Sequence, residues 1–172
     1  MRDLYVSLNI YGGVAIMLSC YDARSSYDVD TFITSADDHE AFWDIVKQTA
    51  QENQLPETFL QESLATIINK DFRKNETALF QKLSHLTINL PTARQLLAMK
   101  LFSARLDEGS KDLLDAVLLC KEIGIRSRAE MNEILREYVR EEAIRKQNRT
   151  PRRHNSIYKF MDEVVKELRQ CN

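Results

Sequence analysis

The pattern of apolar residues changes near Thr92, and this change constrains the fold more than any other feature of the sequence. Before it, residues 4–10 and 86–90 are short runs rich in β-branched and apolar residues, which are typical of strands. After it, apolar residues recur every three or four positions, as they do along one face of a helix. The sequence therefore predicts an α/β (α+β) chain, with a small mixed sheet and packed helices followed by a helical half.

We predict three parts: an α/β core over 1–91, a helical part packed on the core over 92–145, and a basic linker with a C-terminal helix over 146–172. The segment 57–68 is interpreted as one or two short helices. Gly124 is expected to end a helix, and Ser127 with Glu130 has the form of a capping box. The helix before Gly124 has an apolar face on which we place Leu113, Leu114, Val117, Leu118 and Cys120.

Composition excludes several classes of protein. With 44% hydrophobic and 29% charged residues the chain has a globular balance, and a net charge of −2 argues against a globally basic protein that wraps nucleic acid. The three cysteines are widely spaced, which favours a reducing compartment. Neither a signal-peptide pattern nor the roughly 20 apolar residues of a membrane span is present. We expect a cytoplasmic protein with no membrane partner.

The glycine pair Gly12-Gly13 follows the first predicted strand and precedes an apolar run that could continue as a helix. Glycine lets backbone N–H groups approach an anion without an intervening Cβ, and the start of a helix attracts negative charge. These residues are therefore candidates for a turn that binds phosphate.

Asp28 and Asp30 flank Val29 in the second predicted strand. Side chains in a strand repeat with period two, so the two carboxylates are expected on one face, where they could share a divalent cation. Mg²⁺ binds proteins through one or two carboxylates plus substrate phosphates. Hydrogen-bond donors precede the pair, namely Arg24, Ser25 and Ser26.

The glycine pair, followed about one helix later by Asp-hydrophobic-Asp, resembles the signature of the polymerase-beta-like nucleotidyltransferase superfamily. Two further elements resemble the abortive-infection-type toxin nucleotidyltransferases and their uncharacterised relatives. The first is Arg-x-Ser/Thr-x-Asp-hydrophobic-Asp, here at residues 24–30. The second is Lys-x-x-x-Ala-Arg followed by Lys-Asp-x-x-Asp, here at residues 100–105 and 111–115. The resemblance covers roughly residues 4–123, with both elements in the family's order.

The resemblance implies roles for particular residues. Asp28 and Asp30 would be metal ligands for Mg²⁺ (or Mn²⁺), Gly12 and Gly13 would form the phosphate turn, and Lys100 would contact triphosphate oxygens. Nucleotide binding would also involve Arg24, Ser25 and Ser26, and further functional carboxylates would be Asp112 and Asp115. The implied reaction moves a nucleoside monophosphate from a triphosphate to a hydroxyl of RNA such as tRNA, of protein or of a small molecule. The implied setting is a toxin–antitoxin or phage-defence system, with an antitoxin protein as partner.

Other interpretations stay open. The superfamily places a third metal carboxylate on a later strand, and residues 87–90 contain none, which favours a catalytically degenerate binding or regulatory module. An unrelated helical interaction domain is a further alternative. Lys100 could extend its ammonium to water. Four charged residues at helical spacing could form no more than surface ion pairs: Arg105, Lys111, Asp112 and Asp115. A basic run is either a solvated linker or a contact for RNA phosphates: Arg145, Lys146, Arg149, Arg152 and Arg153.

Overall fold

A computed structural model describes residues 4–20, 28–62, 64–69, 77–103, 111–149 and 156–170. These residues form a five-stranded mixed sheet and seven helices, which confirms the predicted α/β class. They divide into two compact units, one within Met1–Ala65 and Arg73–Thr92, the other within Thr66–Phe72 and Ala93–Asn172. No helix in the described ranges has the length and apolar character needed to cross a membrane.

The sheet belongs to the first unit and has the strand order β3-β2-β1-β5-β4. Its strands are β1 (Val6–Tyr11), β2 (Val29–Ala36), β3 (Leu60–Gln61), β4 (Thr77–Lys82) and β5 (Leu86–Pro91). β1 pairs antiparallel with β2 and parallel with β5, while β2 and β3 pair in parallel and β4 and β5 pair antiparallel. β1 is therefore the central strand, and it is almost entirely buried.

Two helices belong to this unit. α1 (Gly12–Cys20) begins directly after β1 and contacts β1, β2 and β5. α2 (His39–Glu52) begins after Asp38, whose carboxylate accepts a hydrogen bond of 3.0 Å from the backbone N–H of Ala41. The helix turns an apolar stripe inward, formed by Phe42, Val46 and Ala50.

The second unit is helical. Its helices are α3 (Ala93–Ser103), α4 (Lys111–Ile123), α5 (Arg128–Tyr138), α6 (Glu141–Arg149) and α7 (Ser156–Gln170). α3 contacts α4, α5 and α7, and α7 also contacts α4 and α5. The capping box of α5 is confirmed, because Ser127 Oγ accepts from the Glu130 N–H at 3.3 Å and Glu130 Oε2 accepts from the Ser127 N–H at 3.0 Å.

The segment 57–68 is not helical, and that prediction is wrong for its described residues. Turns occupy residues 57–58 and 65–67, β3 takes Leu60–Gln61, and Ile68 forms an isolated antiparallel bridge with Val139. The Val29 N–H donates to the Phe59 carbonyl at 2.7 Å, so pairing with β2 provides hydrogen bonds that a short helix would otherwise supply. Strand β4 was also absent from the predicted set.

Two predictions in the second unit need correction. On α4, Leu114 is 63% exposed and Leu118 is 37% exposed, whereas Asp115 is 3% exposed. The helix is turned so that Asp115 meets a lysine of α3, and this rotation leaves the two leucines outside. Residues 146–149, which were predicted to begin the linker, are helical, because α6 continues through Arg149. Residues 150–155 lie outside the described residues.

Candidate functional site

Gly12 stands where β1 ends and α1 begins, in the first unit. Its φ is +67°, a left-handed conformation that residues with a Cβ rarely adopt. The chain can therefore turn from strand to helix within one residue. Gly13 follows as the second residue of α1, so the first N–H groups of the helix lie at this turn.

Asp30 lies against this turn. It is half-buried in β2, where its Cα pairs with that of Tyr11, the residue before Gly12. A Cβ added to Gly12 would collide with Asp30 Oδ2 and lie 3.3 Å from Asp30 Cγ. The carboxylate thus occupies the space that the missing side chain leaves at the glycine.

Asp28 is exposed and immediately precedes β2, whose first residue is Val29. The structure brings it to the same end of β2 as Asp30, while the shared orientation of the two carboxylates stays a prediction. Arg24, Ser25 and Ser26 lie outside the described residues, so their predicted place beside this turn also stays a prediction.

The residues from the second sequence element form a cluster in the second unit, which we call the Lys100 cluster: Lys100, Asp112 and Asp115. Lys100 Nζ lies 2.8 Å from Asp112 Oδ1 and 2.9 Å from Asp115 Oδ2, joining α3 to α4. The three side chains are only 12%, 14% and 5% exposed. These contacts are buried ion pairs, so the snorkelling interpretation is wrong for Lys100 and the surface-pair interpretation is wrong for Asp112 and Asp115.

Two opposing effects act on the pKa of Lys100. Burial lowers it, since the charged form loses hydration, but hydrogen bonds to Asp112 and Asp115 raise it, and the net shift is upward. The lysine is therefore charged at neutral pH, and its ammonium lies against two carboxylate side chains. The predicted contact of Lys100 with triphosphate oxygens stays a prediction.

Three polar side chains in the sheet core were missed from sequence. Asn89 Nδ2 of β5 donates to Asn9 Oδ1 of β1 at 3.3 Å and to the Leu8 carbonyl at 3.4 Å. Burial raises the pKa of Tyr11 to about 12, against a smaller lowering by its interaction with the Asn9 side chain. An asparagine inside the apolar run of β1 was the signal that could have revealed this group.

The two carboxylates at this end of β2, Asp28 and Asp30, are of the chemical kind that binds a hard divalent cation. Carboxylate oxygens are the ligands that Mg²⁺ and Mn²⁺ prefer, and Mg²⁺ needs only one or two of them when phosphates complete its shell. Within the ranges that the structure describes, no three His, Cys, Asp or Glu side chains converge as a metal site would require. That Asp28 and Asp30 hold a cation which arrives with a triphosphate stays a prediction.

Comparison with protein-family models, with curated proteins and with solved structures gave no match. The resemblance to nucleotidyltransferases, the RNA and antitoxin partners and the cytoplasmic location accordingly stay predictions.

Proposed function

We propose that this chain is a Mg²⁺-dependent nucleotidyltransferase that moves a nucleoside monophosphate from a triphosphate to a hydroxyl acceptor. The placement of the Asp30 carboxylate against Gly12, at the start of α1, carries the proposal. It sets a negative group beside the N–H groups of a helix start, and those N–H groups favour phosphate oxygens. A cation held by the carboxylate would offset the repulsion between its negative charge and that of the phosphate.

In the proposed reaction, the acceptor oxygen forms a bond to the α-phosphorus and the bond from that phosphorus to pyrophosphate breaks. The hydroxyl proton passes to a carboxylate of the site. When bound, Mg²⁺ supplies positive charge against the phosphate oxygens. The backbone at Gly12 and Gly13 orients the phosphates, while Asp28 and Asp30 position the cation and help to activate the acceptor.

The proposed acceptors are RNA, with tRNA the first to test, protein and small molecules. The basic residues of α6 with described side chains, Arg145 and Lys146, are both exposed and suit contacts to RNA phosphates. The resemblance to toxin nucleotidyltransferases adds an antitoxin protein as the proposed regulator and a toxin–antitoxin or phage-defence system as the setting.

Calorimetric titration with a non-hydrolysable triphosphate analogue tests the binding half of this proposal. We expect Mg²⁺ to strengthen triphosphate binding, since Asp28 and Asp30 would hold the cation and it would supply positive charge for the phosphates. Asp28→Asn should remove that strengthening, because the amide is the same size but lacks the charge. Identical triphosphate affinity with Mg²⁺ and with a chelator would contradict the proposal.

A catalytically degenerate module is the second candidate function. The observation that favours it is Asn89, which lies on β5 beside the central strand, on the later strand where the superfamily places a carboxylate. A degenerate relative would bind triphosphate without transferring label to tRNA, total RNA or protein. Transfer to any of these acceptors would exclude this second candidate.

A further inference from the structure

A pocket of about 290 Å³ opens in the second unit between the ends of α4 and α7. Its floor is apolar and consists of Cys120, Ile125 and Leu168, which are 0%, 8% and 7% exposed. Burial, with a smaller effect of Glu130, raises the pKa of the Cys120 thiol to about 12, so the floor is uncharged at neutral pH. The volume is at the lower end of the range for small-ligand sites.

The rim of this pocket is cationic and consists of Lys121, Arg126 and Arg169, all of them exposed. No aspartate or glutamate is among the described residues that line it. Three positive charges around an apolar floor attract an anion that carries an apolar body, because arginine and lysine pair with phosphate or carboxylate oxygens.

The turn after α4 fixes this arrangement. Gly124, with φ +75°, lets the Ile125 N–H donate to the Cys120 carbonyl at 2.9 Å and the Gly124 N–H donate to the Lys121 carbonyl at 3.4 Å. This is a Schellman turn, and it places Ile125 on the floor and Arg126 on the rim. It also satisfies two carbonyls at the negative end of α4, which reduces the need for the nearby cations as helix caps.

The rim cations differ in their ion pairing from Arg94 and Arg128 of the same unit. Arg94 pairs with Glu137 and Arg128 with Asp162, each at 3.1 Å. Lys121 and Arg169 form no ion pair with any carboxylate in the described part of the chain. Arg126 is near Glu130, whose pKa is lowered first by hydrogen bonds from Ser127 and the Arg126 backbone, with a smaller contribution from the Arg126 charge. Lys121 and Arg169 are also exposed, so a ligand in solution can reach both charges.

We propose that this pocket binds a small organic anion, with a phosphate or carboxylate group held by Lys121 and Arg169 and an apolar ring or chain on Ile125 and Leu168. The site is distinct from the Gly12 turn and does not depend on nucleotidyl transfer. The ligand needs two parts: an anionic group that pairs with the rim and an apolar group that packs on the floor.

Titration of the whole chain with phenyl phosphate tests the proposal, with inorganic phosphate and benzyl alcohol as partial probes. We expect phenyl phosphate to bind with a dissociation constant of about 1 mM or lower, and each partial probe to bind about tenfold more weakly. Amide chemical-shift changes should centre on Gly124 and Ile125. Absence of binding, or equal affinity for inorganic phosphate, overturns the proposal.

Charge variants locate the site. Lys121→Ala with Arg169→Ala should weaken phenyl phosphate binding about tenfold or more, since two charged contacts are lost. Lys166→Ala is the matched control, because this exposed lysine of α7 pairs with Glu163 at 3.2 Å and does not line the pocket. An equal loss in the control would show general surface electrostatics and overturn the proposal.

Discussion

Gly12 is constrained twice, by its backbone and by its neighbour. Its φ of +67° disfavours any side chain, and the space where a Cβ would lie is filled by the Asp30 carboxylate. Gly124 has a similar φ of +75° but no atom within 4 Å of the corresponding Cβ position. A substitution at Gly124 therefore measures the cost of the left-handed backbone conformation alone, without a steric clash.

We predict that Gly124→Ala lowers the free energy of unfolding by about 1 to 2 kcal/mol, the cost of a left-handed residue with a Cβ. Gly12→Ala should cost clearly more, because Asp30 must also move. Urea unfolding of both variants, followed by circular dichroism, measures the difference. Equal costs would mean that the Asp30 carboxylate moves away without resistance.

The Lys100 cluster makes a second prediction for single residues. Lys100→Met removes the ammonium that lies against two poorly exposed carboxylates, so it should lower the free energy of unfolding by about 3 kcal/mol near neutral pH. The exposed Lys166→Met, which loses only a surface pair, is the control and should stay within about 0.5 kcal/mol of wild type.

The pH dependence of the Lys100→Met variant distinguishes lost charge from lost packing. In wild type the raised pKa of Lys100 gives a contribution that is fully present below the ordinary lysine pKa and disappears only as pH rises through the higher folded value. The Lys100→Met variant lacks this contribution, so its deficit relative to wild type should shrink as pH rises above the ordinary lysine pKa. A deficit that is independent of pH would mean that packing alone was lost.

Helices and turns with local signals were predictable, and pairing partners were not. The capping box at Ser127 and the helix end at Gly124 follow from neighbouring residues, and both are confirmed. β3 has two residues and is defined by its pairing with β2, which no local pattern encodes. β4 is exposed along most of its length, so the alternation that identifies a half-buried strand is missing.

The orientation of α4 shows how an ion pair can alter an apolar pattern. Periodicity alone placed Leu114 and Leu118 inside, whereas the structure buries Asp115 beside Lys100.

Leu114→Ala should therefore change the free energy of unfolding by less than about 0.5 kcal/mol, while Leu119→Ala, at a position with 0% exposure, should cost about 2 to 5 kcal/mol. Thermal or urea unfolding of the two variants measures this. A large loss for Leu114→Ala would place that residue in an interface.

At the scale of the whole molecule, the fold class was predictable because the alternating and helical patterns occupy different parts of the chain. The closeness of Asp30 to Gly12 could also be expected, since a strand, a glycine turn, a helix and a second strand bring those positions together. The pairing of β1 with β5 could not be predicted from local patterns, so the contact between Asn9 and Asn89 was missed. The joining of Lys100 to Asp112 and Asp115 depends on helix rotation, which the sequence pattern misplaced.

Transfer of label from an α-labelled nucleoside triphosphate tests the proposed nucleotidyl transfer most directly. With Mg²⁺ and tRNA, wild type and Asp44→Asn, a change at an exposed position of α2, should both label the acceptor. Asp30→Asn should reduce transfer by about a hundredfold or more, because the charge that positions the cation is gone. Its circular dichroism spectrum should stay that of wild type. Full transfer by a folded Asp30→Asn variant would contradict the account.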